Sequence, residues 1–311
     1  MSADTGTRDE TSSGSMVDLI QSRYHIPVLL SVFVAVLGMR LQSYDQFIRD
    51  GAIYFSGNDA WYHYREVTYT VRNWPSAMPF DPWTNFPYGT FQGQFGTLYD
   101  QLLATAALVI GLGDPSQELI TRVLLLAPPV FGALVALPTY AVGKRLGGRL
   151  GGIFAAVILM LLPGTFLRRG LVGFAEHNVA EPLFMLLAVL ATMCALTVAD
   201  RERPVWELVA DRDIDALRDP LKWSALAGAT IALYMWVWPP GILLVGITGV
   251  YFLVQMVASF VRDDSPEHIA FVAAASMPLA AVLMATRTAD PGSGVTGFTL
   301  LQVLLALAVG V

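Results

Sequence analysis

The sequence predicts an all-α integral membrane protein, a multi-span transmembrane helical bundle with a long first external loop. Three observations carry that prediction. Hydrophobic residues make up 55% of the 311-residue chain and charged residues only 14%, against about 25% charged in ordinary soluble domains. The apolar residues fall into long runs parted by short polar joints, which suits helices rather than a barrel. Lys and Arg collect in particular joints rather than evenly, as in polytopic helical proteins. The single cysteine, Cys194, lies within an apolar run, so a disulfide framework and a cysteine metal centre are both excluded. A net charge of −6 argues against a nucleic-acid partner.

Residues 1–17, rich in Ser, Thr, Gly, Asp and Glu, lack the apolar surface to fold and predict a disordered cytoplasmic tail. Residues 18–311 then form one transmembrane domain. A span needs roughly 17–25 mainly apolar residues. That criterion selects 26–42, 120–143, 150–167, 179–199, 221–238, 241–260 and 269–285. A further run begins near Phe298 and is still apolar at Val311, so the chain is expected to be the membrane portion of a longer protein. Residues 98–113 are short for a span and carry Asp100 and Gln101. They are read as a helix lying in or re-entering the interface. Lys144, Arg145 and Arg149 mark one joint as cytoplasmic, and Arg201, Arg203, Arg212, Arg218 and Lys222 mark another. If 98–113 does not cross, the polar loops 43–97 and 168–178 share the external face.

Those two loops hold most of the chemistry. The first contains Gly57-Asn58-Asp59-Ala60-Trp61-Tyr62-His63-Tyr64-Arg65-Glu66, two acids with an imidazole and an arginine among aromatics. The second ends Arg169-Gly170-Leu171-Val172-Gly173-Phe174-Ala175-Glu176-His177-Asn178. Glu176 and Asn178 are two apart, so an extended or turning backbone points both the same way. With Asp59 they offer oxygen ligands, which suit a hard cation such as Mg²⁺ or Mn²⁺. Arg169 is a natural phosphate partner. A plainer reading stands beside each residue: Asp59 as a solvated interfacial acid, Glu176 as a polar helix start, Arg169 as an interfacial anchor.

The run Asp59-Ala60-Trp61-Tyr62-His63-Tyr64-Arg65 resembles the first acidic motif of the catalytic subunit of oligosaccharyltransferase. Arg169 through Asn178 resembles the second. Between them, Phe80-Asp81-Pro82-Trp83-Thr84-Asn85-Phe86-Pro87-Tyr88-Gly89 is similar to an aromatic-Pro-Gly segment of that family's first external loop. Trp236-Val237-Trp238-Pro239-Pro240-Gly241 falls where the family has a Trp followed by small residues. The archaeal, single-subunit branch is the nearest in pattern. The resemblance implies the membrane bundle of the C-type glycosyltransferase superfamily, in the cell membrane with its active site outside. The implied activity is transfer of an oligosaccharide from a dolichyl phosphate carrier to Asn of an Asn-Xaa-Ser/Thr sequon in an acceptor protein. It also implies Mn²⁺ or Mg²⁺ held by Asp59, Glu176 and Asn178, with Asp59 and Glu176 catalytic and Arg169, His177 and Trp238 near the donor head. Asn178 departs from the Asp, Glu or His usual there. The family's later acidic loop and its Trp-Trp-Asp-Tyr-Gly motif do not occur before Val311.

Three other readings remain open on sequence alone. A polyprenyl-phosphate-sugar transferase acting on a hydroxyl or a lipid would share this architecture. A transporter would place ionisable residues at mid-membrane depth on broken helices, whereas here the acids gather in the loops. A non-catalytic membrane fragment is the third.

Overall fold

The computed structural model describes residues 23–91, 95–201, 204–288 and 290–311. The expected tail, 1–17, lies outside the described residues. The chain folds into twelve described helices, and the long apolar ones run through the bundle. α1 (His25–Leu41) is followed by α2 (Asp59–Arg72) and α3 (Leu98–Ile110). α4 (Gln117–Leu134) and α5 (Ala136–Leu161) follow, then the short α6 (Thr165–Arg169) and α7 (Ala180–Arg201). α8 (Val205–Asp211), α9 (Ile214–Val237), α10 (Ile242–Val261), α11 (Glu267–Ala285) and α12 (Leu300–Gly310) complete it.

Four stretches are long and apolar enough to cross a membrane: Gln117–Leu161, His177–Arg201, Pro239–Val261 and Glu267–Ala285. The first holds two expected spans, because Gly147 and Gly148 break α5 with non-helical backbone, Gly148 at φ 68°. Only a residue without a Cβ takes that conformation at no steric cost, and the chain reverses there, at the basic joint. The return arm ends at Leu161, short of the expected 167. The run Leu162-Pro163-Gly164 then separates it from α6, with Gly164 at φ 101°. α9 starts seven residues before the expected 221, because the Asp213 side chain caps it by accepting from Ala216 N–H. α12 starts after a capping box in which Thr299 and Gln302 satisfy each other's groups.

The fold is helical but not purely α. Two short antiparallel ladders stiffen the long loop, β1 (Ile48–Arg49) with β2 (Ala52–Ile53) and β3 (Phe80–Asp81) with β4 (Thr90–Phe91). Asp50 and Gly51 close the first with positive φ at both positions, the two-residue turn that matches strand twist.

Three apolar clusters hold the bundle. One joins α7 to α12, centred on α9 with Ile231 and Met235 against Val272 and Met277 of α11. A second lies beneath the polar loops and joins Ala60 and Val67 of α2 to Tyr99 and Leu103 of α3 and Leu124 of α4. The third packs Val32 and Val36 of α1 on Ala133, Ala136 and Ala156. Arg287 ties the two larger bodies together. It lies over the Trp236 ring at 4.7 Å and donates to Gln101 Oε1 at 3.1 Å.

α3 has 13 residues, too few to cross alone. Its Gln101 donates to Pro75 O, just beyond α2, and the start of α4 returns to α2, where Gln117 donates to Tyr64 Oη at 2.7 Å. The two polar loops therefore meet at one end of the bundle, where Ser56 N–H donates to Gly173 O at 2.9 Å.

Candidate active site

The acidic stretch at Asp59 is a helix rather than a loop. Ala60, His63, Val67 and Thr70 repeat at three- and four-residue steps, the period of one buried helical face. Asp59 is the first residue of α2 and exposed, where the helix dipole favours a carboxylate. It borders a cavity of about 340 Å³ lined also by Trp61, Arg65, Trp83, Asn85 and His177. Arg65 holds the far wall. Its guanidinium makes a two-pronged pair with Asp81 and also donates to Thr84 Oγ1. Burial alone would raise the Asp81 carboxyl, but bonds from Arg65, Thr84 and Trp83 N–H bring it below its ordinary value.

The second acid comes from the other loop. α6 is held by Arg40 of α1, buried at 1% exposure, which donates to Phe166 O and Leu167 O and lies over the Phe166 ring. A cation at these last carbonyls offsets the negative helix end. From the end of α6, Arg169 Nη1 reaches Glu176 Oε2 at 2.7 Å, and Asn178 Nδ2 donates to the same oxygen at 3.2 Å. Glu176 has extended backbone (φ −128°, ψ 149°), and the chain then turns through a 3₁₀ segment, His177–Val179. Burial raises the Glu176 carboxyl and the charge of Asp59 raises it further, while Arg169 and His63 pull it down. Glu176 Oε1 lies on the side of Gly57, two residues before Asp59.

Beneath them lies a buried polar chain absent from the sequence reading. Asp100 Oδ1 meets His63 Nδ1 at 2.7 Å, and His63 Nε2 meets His177 Nδ1 at 3.1 Å. His177 Nε2 faces Glu181 Oε1 at 3.5 Å. Burial pushes the His63 imidazole down to about 4, against the pull of Asp59 and Glu176, so the ring is neutral and one hydrogen joins the two imidazoles. The signal for it was the one-turn spacing of Asp59 and His63 on a single helical face.

Of the six candidates, Asp59 and His177 line the cavity, while Arg169, Glu176 and Asn178 form a hydrogen-bonded group beside it. Trp238 is not among the residues lining the cavity; it packs on the apolar cluster beneath the loops, its ring 6.3 Å from that of Tyr234. Among the described residues, no group of three His, Cys, Asp or Glu side chains could hold a metal ion. An ion resting on this chain would use two carboxylates and the Asn178 carbonyl oxygen. That set fits a hard cation: two like charges converge, and Glu176 Oε1 lies clear of Arg169 on the side of Gly57.

Glu66, one turn after Tyr62, is buried and accepts from Met78 N–H at 3.2 Å. Burial, then the Asp100 charge, pushes its carboxyl from 4.5 up to about 8. Between those values the folded chain keeps a proton that the unfolded chain has lost, so stability falls as pH rises through that window. Glu66→Gln keeps the acceptor without the charge. Thermal melts of this variant should show a flatter pH profile, with a gain of roughly 2–4 °C at pH 8; a profile parallel to that of the unsubstituted protein would refute it.

Bundle and site together define a multi-pass membrane protein in which Asp59, Arg169 and Glu176 meet at one end of the bundle. The family model "Oligosaccharyl transferase STT3, N-terminal" matches residues 29–308. The chain belongs to that family. It is 64% identical, over 96% of its length, to dolichyl-monophosphooligosaccharide–protein glycotransferase AglB of Haloferax volcanii, and spans 28% of that relative. With dolichyl-phosphooligosaccharide-protein glycotransferase 3 of Archaeoglobus fulgidus the identity is 26%, over 84% of this chain and 29% of the relative. The fold matches solved structures of the Archaeoglobus fulgidus oligosaccharyltransferase. One, in complex with an inhibitory peptide and a dolichol-phosphate, has a TM-score of 0.80 at 23% identity, covering 94% of this chain and 32% of that one. Another, in complex with Zn and sulfate, has a TM-score of 0.77 at 23% identity, covering 91% and 34%.

Proposed function

We propose that this chain is the N-terminal membrane part of an oligosaccharyltransferase, which moves an oligosaccharide from a dolichyl phosphate carrier to Asn of an Asn-Xaa-Ser/Thr acceptor. One observation carries the reading: Asp59 and Glu176, from distant parts of the sequence, converge at one end of the bundle with Arg169 held on Glu176. The relatives' names and the archaeal structure with dolichol-phosphate support the donor. The site faces outward in this reading, since the basic turn at Gly147–Gly148 sits at the far end of the hairpin that starts beside α2.

Asp59, Glu176 and Asn178 would hold Mn²⁺ or Mg²⁺, a reading supported by the Zn and sulfate of the archaeal relative's structure. The chemistry such an ion supplies when bound is neutralisation of charge on the departing phosphate. The amide nitrogen of the acceptor is a poor nucleophile because its lone pair is delocalised. Asp59 accepts hydrogen bonds from its N–H groups and favours a twisted amide with a freer lone pair. Glu176 is paired with Arg169, whose charge opposes the effect of burial on its carboxyl. Arg169, with guanidinium donors beyond the one it gives Glu176, orients the lipid phosphate. Trp238, packed on the apolar cluster beneath the loops, contacts the donor head.

The test is transfer by the full-length protein that contains this chain. A dolichyl-phosphate-linked oligosaccharide and an Asn-Xaa-Thr peptide should yield glycopeptide, detected by mass. EDTA should stop the reaction and Mn²⁺ restore it, while the peptide with Asn changed to Gln should stay unmodified. Modification of the Thr hydroxyl would overturn the amide reading, and full activity in EDTA the metal.

A further inference from the structure

His63 forms part of the cavity's inner wall, where the two loops join. Asp59 and His63 are one helical turn apart on α2, four residues along the same face. Glu176 and His177 are neighbours in the second loop. The 3.1 Å bond between the imidazoles therefore lies one turn from one acid and one peptide from the other. His63 is 1% exposed and anchored behind by Asp100 at 2.7 Å. Tyr99 packs edge-on against it at 5.1 Å, and Phe95 stacks beside His177. Both nitrogens of His63 are occupied, and those of His177 face His63 and Glu181, so the pair has no atom to spare for an ion or a phosphate. Two carboxylates that share one ion need a fixed spacing, so something must hold the segments that carry them together. The main-chain bond from Ser56 to Gly173 is three residues from either acid, whereas the imidazole pair is directly beneath them.

We propose that His63 is a positioning residue: held by Asp100, it fixes through His177 the spacing of Asp59 and Glu176, and so the width of the cation site between them. This rests on the reading of Asp59 and Glu176 as ligands. It also gives His177 a bracing role in place of contact with the donor head. Outer partners of metal ligands typically change affinity by about 10–100-fold when removed, and that is the effect expected here.

The experiment uses the full-length protein and Mn²⁺ alone, titrated and followed by electron paramagnetic resonance. His63→Phe keeps the ring volume and deletes the bond. It should weaken Mn²⁺ about 10–100-fold. His63→Gln, whose amide reaches the place of Nε2, should recover most of that loss. In transfer assays H63F should regain its kcat at saturating Mn²⁺ with an unchanged KM for the peptide. Equal Mn²⁺ affinity in H63F and the unsubstituted protein overturns the proposal. So does an H63Q variant as weak as H63F, which would mark the ring as filling only. If the unsubstituted protein binds no Mn²⁺, the metal reading falls and this proposal with it. Should H63F not fold, Asp100→Asn, which weakens the anchoring of His63 without changing its shape, replaces it. An unchanged Mn²⁺ affinity there is equally decisive against the proposal.

Discussion

Replacing Asp59 with alanine is expected to abolish oligosaccharide transfer while leaving the fold intact. The two halves of that expectation have separate physical grounds. Asp59 is exposed at the first turn of α2, so its removal costs only the helix-end interaction, about 0.3–1 kcal/mol. The activity term is far larger. Loss of one preorganised group aimed at developing charge typically costs about 10²–10³-fold in rate, and Asp59 is asked both to ligate and to hold the acceptor amide. Glycopeptide yield at single turnover, with a thermal melt of the same preparation, measures both. Asp59→Glu keeps the charge but extends it by one methylene and should fall between. Near-normal transfer by D59A would sink the assignment of this acid to the chemistry.

Arg169→Leu should be nearly as severe, by another route. Glu176 is 6% exposed, and Arg169 is the cation that offsets its burial at 2.7 Å. Breaking a buried pair by removing one partner typically costs about 3–5 kcal/mol, because the other charge is left uncompensated. Part of that falls on stability and part on the site, since a carboxylate next to Asp59 without its arginine binds a cation poorly. Transfer should drop by about 10²-fold or more, with a lowered melting temperature, unlike D59A. Arg169→Lys should rescue stability better than transfer, because a point charge replaces a planar fork. Equal transfer by R169L and the unsubstituted protein would show that Glu176 needs no partner.

The helical bundle was legible because its signal is cumulative: each span sums over many apolar residues. Element ends were less so. The early end of α5 at Leu161 and the early start of α9 at Ile214 turn on single breakers and caps, Gly164 and Asp213. The meeting of the two polar loops followed from charge and from the shortness of 98–113, and the Ser56–Gly173 bond realises it. The hidden part was what lies between the acids. A histidine in an aromatic-rich run has no marker of its partner when that partner is 37 residues away, as Asp100 is from His63. Reading the stretch as a loop also concealed the helical register that puts His63 under Asp59. Arg40 was hidden for a similar reason: its carbonyl partners on α6 lie more than a hundred positions on.

The contact of the two imidazoles also sets an order of events during synthesis. They are 114 residues apart, and closing so long a loop adds to chain entropy only logarithmically. The cost in stability is small, but the timing is fixed. A ribosome that has delivered Asp59 must still make the whole α4–α5 hairpin before the second loop comes back to meet it. Until then α2 carries an acid with no Glu176 across from it and a histidine joined only to Asp100. The half-made protein therefore cannot assemble the proposed cation site, and changes that misalign the hairpin would disable that site without touching one of its residues.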